Sequence, residues 1–160
     1  MAATYEPIAT TTLGSAQANV EFTSITGTYT DLVLIAVTQI GSSGDYLGVQ
    51  FNSDTGSNYS RTRLSGNGTS ASSERDSSVV RLNFYAQPTS NFAVNKIDIF
   101  NYSNTTTYKT VLCRTDQAAL STNAYVGLWR STSAITSIKL IGPSNFSSGS
   151  TFTLYGIASA

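Results

Sequence analysis

Three constellations in this 160-residue sequence have residue types that could do chemistry. Asp54-Thr55-Gly56 copies the core of the aspartic-protease signature, in which two carboxyls share a proton. There the Asp follows apolar residues on a strand, whereas here Asn52 and Ser53 precede it. Asp, Gly and Asn are also ordinary turn residues, so the triplet reads as a hairpin turn. Glu74 and Asp76 are a carboxylate pair of the kind glycoside hydrolysis needs. They flank Arg75 in a Ser-rich stretch, which reads as a solvated loop. Asn52, Asp54 and Asn58 could offer oxygens to Ca²⁺, but their spacing matches no EF-hand loop. The chain has no histidine, which removes Ser-His-Asp and Cys-His catalysis and most catalytic zinc sites. The single cysteine, Cys113 in TVLCRT, reads as a small core residue and allows no intrachain disulfide. No catalytic, cofactor or metal residue is therefore assigned, and the chain is expected not to be an enzyme.

Binding residues are easier to nominate. Tyr59, Arg61 and Arg63 alternate on one face of a strand, and Arg75 and Arg81 follow soon after. Tyr and Arg are enriched in interface hot spots; the rival reading is a solvated face with Tyr propping up long Arg stems. Tyr59, Arg61, Arg63, Glu74, Arg75 and Asp76 are the residues assigned to an intersubunit contact. Tyr125 and Trp129 in YVGLW could make an aromatic platform for a sugar. An alternating strand buries one of its faces, which favours a core or subunit-interface role instead. Asn-X-Ser/Thr triplets start at Asn58, Asn67, Asn101, Asn104 and Asn145; in a chain with 24 Ser and 23 Thr they arise by chance.

The elements that must hold these residues are strands. Short alternating or β-branched runs sit between Ser/Gly/Asn turns at sandwich spacing. They cover Tyr5–Leu13, Asn19–Ile25, Asp31–Thr38, Tyr46–Asn52, Asn58–Leu64, Val79–Tyr85, Ala93–Asn101, Thr107–Thr115, Ala124–Arg130, Ala134–Ile141 and Thr151–Ile157. Leu32–Val37 is apolar on both faces, so its strand should be central. Val20 and Phe22 share a face, as do Val80, Leu82 and Phe84. Ser65–Ser77 reads as a long polar loop containing an Asn67-Gly68 turn signal, and Pro88 marks another loop. The best helical candidate is one turn, Asp116–Ser121. The expected fold is all-β: an antiparallel, jelly-roll-like sandwich of about ten strands. It should form a single domain over 1–160 with a short N-terminal arm.

Charged residues make up 11% of the chain and sum to zero. Without excess Lys/Arg to release counterions, nucleic acid is not an expected partner. The longest apolar stretch is far short of a bilayer span, and MAATYEPIATTT lacks the regions of a signal peptide. No membrane partner is expected, and synthesis should be cytoplasmic. Zero net charge removes long-range repulsion between copies, and scarce Lys with plentiful Tyr and Phe is an interface bias. Both point to a homo-oligomer.

Six segments span most of the chain: TYEPIATTTLGS (4–15), ITGTYTDLVL (25–34), FNSDTGSNYS (51–60), NYSNTTTYKT (101–110), LWRSTSAITSIKL (128–140) and GSTFTLYGI (149–157). On these the chain resembles small β-rich virion proteins of tailed bacteriophages. The resemblance implies a capsid decoration (cement) protein or a module of a head or tail fibre, commonly a trimer, released with the virion by host lysis. Its partners would be further copies and virion proteins such as the major capsid protein. Two departures from a typical fibre, no shaft repeats and no separate anchoring segment, favour decoration. The alternative is a receptor-binding fibre module that recognises a host glycan.

Overall fold

The computed structural model describes residues 4–41, 46–85 and 90–158. It contains β1 (Tyr5–Thr12), β2 (Gln17–Phe22), β3 (Asp31–Thr38), β4 (Tyr46–Phe51), β5 (Tyr59–Gly66) and β6 (Ala71–Val79). β7 (Leu82–Tyr85), β8 (Ala93–Ile99), β9 (Lys109–Gln117), β10 (Ser121–Trp129), β11 (Ile138–Phe146) and β12 (Thr151–Ile157) follow. Among the described residues there is no helix. An eight-stranded sheet runs β1-β12-β3-β8-β9-β10-β5-β6, and a four-stranded sheet runs β2-β11-β4-β7.

All pairings are antiparallel. β1 pairs with β12, β2 with β11, β3 with β8 and β4 with β7. The chain is thus one long ribbon folded back on itself, with successive strand pairs falling alternately in the large and small sheets. That is jelly-roll order. Two hairpins, β5–β6 and β9–β10, are spliced into this ribbon and extend the large sheet beyond β8.

Alternation explains which faces meet. β8, β9 and β10 bury every second residue, placing Ile97, Val111, Cys113, Tyr125 and Trp129 in the core between the sheets. As its composition requires, β3 lies inside the large sheet between β12 and β8. Leu32, Leu34 and Ala36 are buried on its inner side and Val33 on its outer side. The small sheet closes over β10 through β7. The Leu82 methyls lie 2.9 and 3.1 Å from where a Cβ on Gly127 would sit, so a side chain there would push the buried Leu82 aside. Phe84 meets Tyr125 edge-on at 5.1 Å. Burying side chains such as Leu82 and Phe84 stabilises the fold by about 1.5–3 kcal/mol each.

The fold departs from the sequence reading in four places. Ser65–Ser77 is not a loop. It supplies the end of β5, a tight turn, and most of β6. Asn67 Oδ1 accepts hydrogen bonds from the Thr69 and Ser70 amides at 3.0 and 2.8 Å, and Gly68 takes the required positive φ of 87°. Asp116–Ser121 is not a helical turn but the β9–β10 connection, closed by Leu120 N–H on Gln117 O at 2.9 Å. Val79–Tyr85 is broken: Val79 ends β6, Ser78 has a positive φ of 57°, Val80 is exposed, and only Leu82 and Phe84 are buried. Finally, the strand expected to start at Ala134 starts at Ile138. Asn52 satisfies the intervening backbone, donating to Ala134 O at 2.7 Å and accepting from the Thr136 and Ser137 amides at 2.8 and 3.1 Å. Among the described residues the strands therefore number twelve rather than about ten. Pro88 and residues 1–3 of the N-terminal arm lie outside the described residues.

Candidate functional site

Tyr59, Arg61 and Arg63 do share one face of β5, and it is the inner face. Tyr59 stacks on Trp129 at 6.3 Å and leans on Phe51 at 6.3 Å. Its hydroxyl accepts the Phe51 amide at 3.0 Å and donates to Asp54 O at 3.2 Å. Burial, partly offset by the hydrogen bond to Phe51, raises its phenol well above the ordinary value.

Arg61 is also buried, its side chain only 2% exposed. β6 runs beside β5 with Asp76 opposite Arg61 and Glu74 opposite Arg63. Arg61 pairs with Asp76 and, at 2.8 Å, with Glu74; Arg63 pairs with Glu74 at 3.2 Å. Among the described residues, Arg61 Nε and Nη1 have no hydrogen-bond partner, so its neutralisation comes from the two carboxylates of an edge strand.

Aromatic rings complete the arrangement. The Arg61 and Arg63 guanidiniums lie 4.6 and 5.1 Å from the Tyr85 ring centre, and Arg61 lies 5.7 Å from that of Tyr125. Tyr85 meets Tyr46 edge-on at 6.2 Å, and Arg81 covers Tyr46 at 5.3 Å. The Tyr125 hydroxyl accepts the Tyr85 amide at 2.7 Å. Burial, opposed by that hydrogen bond and by Arg63, pushes the Tyr125 phenol up to about 12. These side chains stitch β4 and β7 of the small sheet to β5 and β10 of the large one. The group nominated from sequence is therefore brought together, but as an internal seam. Tyr59 and Arg61 are spent inside the chain, Glu74 and Asp76 are half-exposed carboxylates turned toward Arg61, and Arg75 alone points outward with an exposed side chain.

The other sequence candidates are also internally engaged. Asp54 accepts from Trp129 Nε1 at 2.7 Å, Asn58 Nδ2 at 2.9 Å and the Gly56 amide at 2.8 Å. Partial burial works against its charge, yet the three donors outweigh this and hold its carboxyl below the ordinary range. These bonds close the turn and tie it to β10. Asn52 and Asn58 are committed as described, and among the described residues no group of three or more His, Cys, Asp or Glu assembles. Trp129 and Tyr125 are both buried, so they form no exposed sugar platform. Cys113 is buried on the inner face of β9, and burial raises its thiol far above the ordinary value.

What remains open to a partner is the outer face of the large sheet, which the sequence reading did not single out. Register places Val33, Asp98, Leu112, Val126 and Thr62 in one row across β3, β8, β9, β10 and β5. The adjacent row is Ile35, Lys96, Arg114, Ala124 and Leu64. Leu64, Val94, Leu112 and Val126 are 62, 46, 44 and 45% exposed. Lys96 pairs with Asp98, and Arg114 with Asp116 at 3.1 Å. The signal was present in VNKID (94–98) and LCRTD (112–116), which repeat apolar, basic and acidic residues at alternate positions. Comparison with family models, curated proteins and solved structures gives no match to this chain.

Proposed function

We propose that the chain is a non-enzymatic structural protein of a tailed-phage virion, seated on the particle as a capsid decoration or cement protein. The observation that carries this reading is the division of labour between the two faces of the large sheet. Potentially reactive groups (Asp54, Cys113, Arg61 with Glu74 and Asp76) are consumed in holding the sandwich together. The inserted hairpins meanwhile add a broad outer surface on which three exposed aliphatic side chains, Leu64, Leu112 and Val126, lie close together. Isolated apolar residues on a surface are normal, but grouped ones mark contact sites. The sequence resemblance to phage virion proteins supplies the setting. It favours a homotrimer in contact with other virion proteins, the major capsid protein first among them.

The test is labelling of intact virions with an antibody raised against the purified chain, with copy number from quantitative mass spectrometry. Hundreds of copies spread over the head are expected. A handful of copies confined to the tail would replace decoration with the receptor-binding fibre reading. A particle population lacking the chain altogether would overturn the virion reading.

A further inference from the structure

We propose that the outer face of the large sheet packs against the same face of a second copy, about a two-fold axis lying across the strands. The inference rests on the virion reading only for its biological setting; the contact itself is argued from register and charge.

Eight strands about 4.8 Å apart, each up to about eight residues long at roughly 3.3 Å per residue, make a face of about 1,000 Å². A standard interface takes about 800 Å² from each partner, so this one face is large enough. The charges at its centre, Lys96, Asp98, Arg114 and Asp116 on β8 and β9, sum to zero, so the centres of two such faces carry no net repulsion, and the exposed Arg75 lies at the flank on β6.

Register selects the alignment. Lys96 sits directly beside Arg114 across β8 and β9, so a stack centred on that row would set cation against cation. Moving the axis to lie between this row and the next removes the conflict. Each residue then faces its neighbour two positions along the same strand in the other copy. Lys96 meets Asp98 of the second copy, and Asp98 meets Lys96. Val126 meets Ala124. Leu112 lies on the Arg114 stem and Leu64 covers Thr62. Each contact occurs twice, as a two-fold interface requires, and the strands stay nearly aligned, as packed sheets prefer.

Sedimentation equilibrium of the full chain tests this, with three variants that lie on the outer face. Leu112→Asp combined with Val126→Asp should weaken self-association by about tenfold or more, because it buries two unpaired carboxylates per copy at the centre of the contact. Lys96→Asp alone should weaken it as well, while Lys96→Asp with Asp98→Lys restores both reciprocal pairs and should recover association. The wild type should show an even number of chains: two, or six if a three-fold contact coexists. A monomer at all concentrations overturns the proposal, as does a trimer whose mass the Leu112/Val126 variant leaves unchanged. That unchanged trimer would leave the virion reading standing. A two-fold dimer that is found in no particle would overturn the virion reading and leave the face pairing intact.

Discussion

Replacing both carboxylates of β6, as Glu74→Gln with Asp76→Asn, should destabilise the protein more than replacing the arginine they neutralise. The Arg61 side chain is 2% exposed. Stripping the partners from a fully buried ion costs about 3–5 kcal/mol. Glu74 and Asp76 are themselves 38 and 40% exposed, so water screens part of the interaction, and about 2 kcal/mol is the expected loss. Arg61→Met has the opposite asymmetry. It keeps an unbranched stem between Tyr85 and Tyr125, and it leaves behind two carboxylates that water already reaches. The loss is then mainly the cation–ring attraction, about 1 kcal/mol. Urea unfolding at constant m-value measures both differences; thermally, about 2 kcal/mol corresponds to roughly 4–8 °C at this chain length. An Arg61→Met variant less stable than the Glu74→Gln/Asp76→Asn variant would refute the reasoning, because it would mean that the guanidinium contributes more than its burial costs.

Further outcomes follow from the core and the turns. Asp54→Asn should destabilise at neutral pH by loosening the link to Trp129. Its carboxyl is held below the ordinary range, so its contribution is present above about pH 4 and fades as pH falls through the lowered folded value. The gap between wild type and Asp54→Asn in urea midpoints should therefore close on acidification, and a gap that widens would contradict the assignment. Gly127→Ala should cost about 1–3 kcal/mol by pushing Leu82 away, read from denaturation midpoints. Cys113 should resist iodoacetamide in the native state and react at the rate of unfolding, and Cys113→Ser should cost about 1–2 kcal/mol while leaving assembly intact; rapid native-state alkylation would show that the thiol is not buried.

The sequence discloses the framework strands because they are chemically one-sided or wholly apolar. β3, β8 and β12 declare themselves through alternation or through LVLIAV, and the sandwich follows. β6 does not, because ASSERDSSV has little β-propensity; only register against Arg61 and Arg63, a long-range fact, makes it a strand. The same limit hid the meaning of those arginines. Alternation puts them in phase with Tyr59 but cannot by itself say which phase is inward. The large aromatic at Tyr59, set against the out-of-phase Leu64, was the available hint. The exposed face was harder still, since Leu112, Val126 and Leu64 lie on three strands and become neighbours only once β9, β10 and β5 pair.

The folded-ribbon arrangement also constrains how the molecule is made. Its two spliced hairpins close through turns of a few residues, and such loops form in microseconds or less. The β1–β12 pairing instead joins Tyr5 to Ile157, across nearly the whole chain, and the entropy of that closure must be met before its contacts contribute. On a ribosome, β1 and its neighbours emerge long before their partners exist. Until β12 arrives, the flank of β3 that it will cover is an open edge able to pair with another nascent chain. Yield of native protein should accordingly depend on the concentration of unfinished chains more than on the stability of the finished fold.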